Sequence, residues 1–137
     1  MTIYTYHKDG TLPEPAIADK FSTVFVFGSN LQGMHGGGAA RAAYEMFGAK
    51  WFYGDGWVGN SYAIPTKYDY RKVVPLDIVR PYIIKFLETA QQFNNHSFFV
   101  TRVGCGLAGY QDSDIAPMFK GAPVNCDFPE EWKPYLE

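Results

Sequence analysis

The chain has little that would anchor, cross-link or repel it. Only two of its 137 residues are cysteine, Cys105 and Cys126, so a disulfide-stapled secreted framework is excluded and two free thiols are expected. No apolar run reaches the roughly 18 residues that a membrane span needs. The opening stretch MTIYTYHKDG carries no apolar core of a signal peptide, so the expectation is a cytoplasmic protein. Basic charge is also scarce. Twelve Lys and Arg face fourteen Asp and Glu, a net charge of −2, which excludes the broad basic face of a nucleic-acid binder. It leaves room for a nucleotide pocket, where backbone amides do more than net charge. The three histidines, His7, His35 and His96, are far apart, and neither cysteine has a partner at zinc spacing, so neither a metal site nor a resident cofactor is expected.

What is present is apolar: 47% hydrophobic residues, 18% aromatic, only 19% charged. That composition suits one globular domain spanning residues 1–137, with no linker, repeat or low-complexity tract. TVFVFGS (23–29), SYAIPT (61–66) and SFFVTRV (97–103) are continuous apolar runs, as strands covered on both faces require. IYTYH (3–7) alternates weakly and predicts an edge strand, and APVNCDF (122–128) a last one. GGAARAAYEMF (37–47) is a good helix former ended by Gly48. Leu76, Val79, Ile83, Phe86, Leu87 and Ala90 recur at helical spacing, and Pro81 inside the pattern places the helix start near Arg80. DSDIAPMF (112–119) predicts a short helix. Strand and helix alternate throughout, which implies an α/β fold with a mixed or largely parallel sheet.

GSNLQGMHGGGAARAA (28–43) then raises the main question. Glycine costs backbone entropy inside regular structure, yet five glycines gather where a buried strand ends and a helix opens. That crevice is where open α/β sheets bind ligands, and free N–H groups at a helix start suit an anion. Gly28, Gly36, Gly37 and Gly38 would let phosphate oxygens reach the amides. The plain alternative is tight turns and close helix–sheet packing. RVGCGLAGY (102–110) repeats the arrangement, with Gly104, Gly106 and Gly109 after an apolar strand. Two such loops suit one phosphate-bearing ligand held from both sides, with Tyr110 offering an aromatic face. A dinucleotide-type oxidoreductase fits less well, because GMHGGGAA does not match the GxGxxG fingerprint.

Together VFVFGSNLQGMHGGGAARAAYEMFG and FFVTRVGCGLAGY resemble the two loop blocks of the macro domain family, the ADP-ribose-binding modules. The resemblance spans roughly residues 24–121 and implies a three-layer macro-like fold with helices on both sheet faces. It also implies a monomeric protein whose partner is ADP-ribose or an ADP-ribosylated macromolecule. Within the family, IPTK (64–67) and RVGCGL (102–107) are similar to the branch of terminal ADP-ribose glycohydrolases and DNA ADP-ribosyl glycohydrolase antitoxins. There the lysine matching Lys67 is catalytic and an acidic residue follows the leucine. Here Ala108 follows Leu107, and Asp112 and Asp114 are the nearest carboxylates.

The resemblance gives each residue a candidate role beside its ordinary one. Asn30 would bond ribose hydroxyls or else close its own turn. His35, in a loop, would move a proton or simply be solvated. Lys67 would attack the anomeric carbon or lie at the surface, and Asp112 would act as base or cap a helix. Asp9 would hold the adenine. Ser29, Thr66, Cys105, Leu107 and Ala108 would line the pocket, Cys105 as a small side chain rather than a nucleophile. Trp51, Phe52, Tyr53 and Trp57 would form a lid or a hydrophobic rim. Two functions follow: an enzyme hydrolysing an ADP-ribosyl linkage, favoured by Lys67, His35 and Asn30, or a non-catalytic reader, favoured by Ala108.

Overall fold

A computed structural model describes residues 3–15, 18 and 22–137. Six strands form one sheet: β1 (Thr5–His7), β2 (Thr23–Asn30), β3 (Gly56–Val58), β4 (Ser61–Lys67), β5 (Ser97–Val100) and β6 (Cys126–Pro129). Their order across the sheet is β1-β6-β5-β2-β4-β3. All pairings are parallel except β3 with β4. Four α-helices are described: α1 (Gly38–Met46), α2 (Leu76–Gln92), α3 (Asp112–Ile115) and α4 (Lys133–Leu136).

The apolar strands are sandwiched, and period-two alternation deals their side chains to two cores. Val24 and Val26 of β2, with Ile64 and Phe98, pack on Val79, Ile83, Phe86 and Ala90 of α2. Phe25 and Phe27, with Ala63 and Phe99, pack on Ala40, Ala43 and Phe47 from the α1 side. Phe25 stacks on Phe47 at 4.6 Å, and truncating such a ring to alanine costs about 3–5 kcal/mol. The result is the three-layer arrangement expected, with five parallel strands and one antiparallel edge.

Several boundaries differ from the sequence reading, for identifiable reasons. Helix α2 starts at Leu76, not Arg80. Pro81 removes a single hydrogen bond near the helix start, while the buried stripe holds the helix through it. Strand β5 ends at Val100 rather than residue 103 because Thr101 turns its hydroxyl onto the Val26 carbonyl, 2.8 Å away. Strand β6 begins at Cys126, not 122. Before it, Asn125 donates its amide to the Ala90 and His96 carbonyls, each at 3.0 Å, closing the end of α2. Pro117 converts the second half of the 112–119 helix into a 3-10 turn, Ala116–Phe119. The short strand β3 falls within GDGWVGN, where glycines mask the β signal. Gly48 does end α1, with φ +80°. None of the described helices is long and apolar enough to cross a membrane.

Candidate functional site

Because β1, β6, β5, β2 and β4 run parallel, their C-terminal ends share one edge. The chain moves from β2 to β4 on one side and to β5 on the other, so the strand order switches direction at β2, the place where crevices open in such sheets. A cleft of about 800 Å³ lies there. It runs from His7 at the end of β1 and Asp9 beyond it, past Arg102 after β5 and Asn30 of β2, to Lys67 of β4. Those strands span four spacings of ~4.8 Å, about 19 Å. Most of the remaining lining is backbone and small or apolar side chains, including Phe25, Ala39, Ala42 and Leu12.

The two glycine-rich loops face each other across this cleft. A Cβ on Gly28 would stand 3.2 Å from the Gly104 amide nitrogen, and one on Gly37 would stand 3.6 Å from Leu107 Cδ1. Gly36 and Gly106 face open space. The glycines therefore divide into two groups. Gly33 and Gly54 permit packing: a Cβ on Gly54 would drive into the Asn30 carbonyl, and one on Gly33 into the backbone of Phe52. The segment 50–54 thereby straps the first loop in place. Ser29 donates its hydroxyl to the Gly54 carbonyl, and the Phe52 amide donates to Gly33 O at 2.9 Å. Gly36, Gly37 and Gly106 instead leave room beside the amides.

The candidate residues separate in the same way. Ser29, Asn30, Gly38, Thr66, Lys67, Cys105, Leu107, Ala108 and Asp9 all line the cleft. Gly109 and Tyr110 do not. Tyr110 packs, partly buried, against the α2-side core and donates its hydroxyl to Val74 O. His35 is buried rather than solvated, at 1% exposure. Its Nε2–H donates to the Lys50 carbonyl at 2.8 Å, and the ring packs edge-on against Phe27; it pins the strap and does not line the cleft. Asn30 closes its own loop, donating to Met34 O at 2.8 Å and accepting from Met34 N–H at 2.9 Å. Lys67 Nζ donates to Tyr70 O at 2.8 Å.

Asp112 is not a free base. Arg102 clamps it in bidentate fashion, Nε to Oδ1 at 3.0 Å and Nη2 to Oδ2 at 2.7 Å. Trp132 Nε1 adds a third bond at 2.7 Å. Burial pushes this carboxyl up, but the bonds from Arg102 and Trp132 outweigh it and hold the carboxyl below the usual range. The same pairing, against the opposing cost of burial, raises Arg102. Arg102 Nη1 also reaches Asp9 Oδ2 at 3.0 Å. Asp114 does cap α3, accepting from the Gln111 amide at 3.0 Å. Burial, reinforced by nearby Asp112, pushes the Cys105 thiol up to about 12, so it is no nucleophile at neutral pH.

Of the aromatic group, Trp51 lines the cleft, Phe52 and Tyr53 are exposed, and Trp57 packs on Phe93, His96 and Phe98 in the α2-side layer. Sequence reasoning missed Arg102 and His7 as cleft residues. Their signal was position: each ends, or directly follows, a parallel strand. Among the described residues, no group of His, Cys, Asp and Glu is gathered that could hold a metal ion.

No family model and no curated protein matches this sequence. Among solved structures, the chain is similar to DarTG of Thermosipho africanus, solved in complex with ADP-ribose. The two share 18% sequence identity with a TM-score of 0.56, over 82% of this chain and 39% of that one. This chain thus spans about two fifths of that protein's length, and the likeness is one of fold: a three-layer, macro-like α/β architecture.

Proposed function

We propose that this chain binds ADP-ribose, or an ADP-ribosyl group on a larger molecule, in the cleft at the C-terminal edge of its sheet. The observation that carries this reading is the pair of opposed glycine-rich loops. Gly36, Gly37 and Gly106 line the cleft, and no close packing around them requires glycine, so the missing Cβ atoms leave room for a ligand beside their backbone. Amides freed of Cβ atoms beside a helix start are a phosphate cradle. The cleft's length suits a base at the His7 and Asp9 end, phosphates between the loops and the distal ribose near Asn30 and Lys67. The complex of the structurally similar DarTG with ADP-ribose supports the same ligand.

The site favours a reader over a glycohydrolase. Among the described residues lining the cleft, Asp9 is the single carboxylate, and it sits at the opposite end from Lys67, bonded to Arg102. Ala108 stands where the hydrolase branch has its acid, and Asp112 is held by Arg102 and Trp132. Lysine-plus-acid chemistry therefore lacks its proton acceptor. Calorimetric titration with ADP-ribose tests the reading, followed by incubation with ADP-ribosylated protein and DNA. Saturable binding without release of ADP-ribose is the expected result. No binding at millimolar ligand would overturn it, and product release would restore the enzyme.

A further inference from the structure

His7 is not among the residues that the loop motifs single out, yet its setting is a built one. Its ring lies flat on Phe99, with centroids 3.8 Å apart and planes 18° apart. Its Nδ1 sits 2.8 Å from Asp127 Oδ1. The register explains the grouping: Thr5 pairs with Asp127, and Asp127 with Phe99, so all three positions share the α1 face of β1, β6 and β5. The side chain of His7 is 10% exposed, and the residue lines the cleft.

An ionised carboxylate can only accept, so the proton between the two groups belongs to His7 Nδ1. In the neutral ring this fixes the tautomer and leaves Nε2 as a lone-pair acceptor. Among the described residues, Asp127 is the one hydrogen-bond partner of His7. Both the stacking on Phe99 and the bond to Asp127 restrain the ring, so the acceptor is presented in one orientation. Two residues further on, Asp9 supplies a second group that accepts and cannot donate, anchored by Arg102. This end of the cleft therefore carries two oriented acceptors beside apolar walls.

We propose that the His7–Asp127 pair is a specificity element that reads the base of the bound nucleotide, selecting a purine with an exocyclic amine over one with a carbonyl at that position. The proposal rests on the nucleotide-binding reading above and adds the residue that discriminates. An amine donates to the waiting acceptors. A 6-oxo purine would set its carbonyl oxygen against them and leave the largely buried His7 acceptor unpaired, which costs more than a missing contact at the surface.

The test uses AMP, IMP and ADP-ribose as probes, titrated against the intact chain and its variants. The wild type is expected to prefer AMP over IMP by at least tenfold. His7→Phe keeps a ring on Phe99 and removes both nitrogens, so the AMP/IMP ratio should fall about tenfold. Asp127→Asn still offers an oxygen to Nδ1–H and should keep the ratio within threefold. Asp127→Leu frees the tautomer and should lose it, which gives a second reading should His7→Phe not fold. A purely structural role for His7 would weaken AMP and IMP equally, and an unchanged ratio in His7→Phe overturns the proposal. So does a wild type that binds IMP as well as AMP. Binding of AMP but not ADP-ribose, with the ratio collapsing in His7→Phe, would sink the ADP-ribose reading and leave the base-reading role standing. Binding of none of the three overturns both.

Discussion

Replacing Arg102 with methionine is the sharpest probe of how this cleft is held together. The substitution keeps most of the apolar stem and removes three hydrogen bonds, two to Asp112 and one to Asp9. The side chains of Arg102 and Asp112 are 31% and 20% exposed. The pair is therefore neither a surface bridge, worth at most about 1 kcal/mol, nor a fully buried one, whose breaking costs about 3–5 kcal/mol. A loss of about 2 kcal/mol follows, most of it the cost of a carboxylate that keeps Trp132 but loses its charged partner. For a 137-residue chain that corresponds to a fall in Tm of about 7 °C. The pH dependence gives the sign. Asp112 is held below its unfolded value, so its contribution is present above about pH 4 and is lost as pH falls through the lower folded value. In Arg102→Met the guanidinium is gone while burial remains, so the carboxyl takes up its proton at higher pH and the strain is relieved. The gap between wild type and variant should therefore close between pH 7 and pH 3. Adding Asp112→Asn removes the stranded charge and leaves an oxygen for Trp132, so the double variant should recover more than half of the loss. Paired urea melts at the two pH values decide it. A gap of equal size at pH 7 and pH 3, or a double variant no more stable than the single, would refute the electrostatic account.

Other expectations follow from the division of the glycines and from the placement of single side chains. Gly106→Val has open space around it and should keep Tm within about 1 °C while abolishing ADP-ribose binding in calorimetry; normal affinity would show that the loop does not contact the ligand. Gly54→Ala should behave oppositely, since its Cβ meets the Asn30 carbonyl: a loss of several kcal/mol in denaturant melts, as overpacked sites show. Lys67→Ala should leave ADP-ribose affinity within about tenfold, roughly 1.4 kcal/mol, because Nζ is bonded to the Tyr70 carbonyl; a hundredfold loss would make the amine an anion clamp. Thiol titration at pH 8 should find both cysteines slow, about a thousandfold below an ordinary thiol, since burial pushes Cys105 and Cys126 each up to about 12.

The fold was legible because its strands are buried on both faces. Continuous runs such as TVFVFGS carry enough apolar area to declare themselves, and the helical stripe of α2 overrode the proline within it. Strand ends were not legible, because they are set by single side-chain bonds to distant backbone. Thr101 onto Val26 and Asn125 onto Ala90 are contacts across 75 and 35 residues, which no local pattern encodes. The site divided likewise. Loop positions followed from the strand-to-helix punctuation, and they do converge on one cleft. Side-chain roles did not follow, because a loop histidine and a strand-end histidine look alike in one dimension. His35 is buried under the strap while His7 lines the cleft, and only the packing of residues 50–54 separates them.

That packing also bears on whether the cleft does chemistry or only holds a ligand. A catalytic loop must let at least one group approach the reacting bond, and such groups are drawn from segments that open readily. Here the first loop is fastened from within: Asn30 holds both polar ends of its amide on Met34, His35 is tied to Lys50, and Ser29 to Gly54. The second is braced beneath by Tyr110 on Val74 and flanked by the Arg102 network. These polar side chains are spent on bonds to backbone groups, mostly carbonyls. Loops fastened in this way would bind a phosphate with little ordering cost, as the proposed reader role requires. The same arrangement leaves Lys67 with no acid beside it among the described residues that line the cleft. If Ala108→Asp, which returns a carboxylate to the position the hydrolase branch uses, conferred release of ADP-ribose on a chain otherwise inert, the missing acid would be the whole of the difference. If the substituted chain still bound and released nothing, the fastening of Asn30 and the first loop would be the greater obstacle.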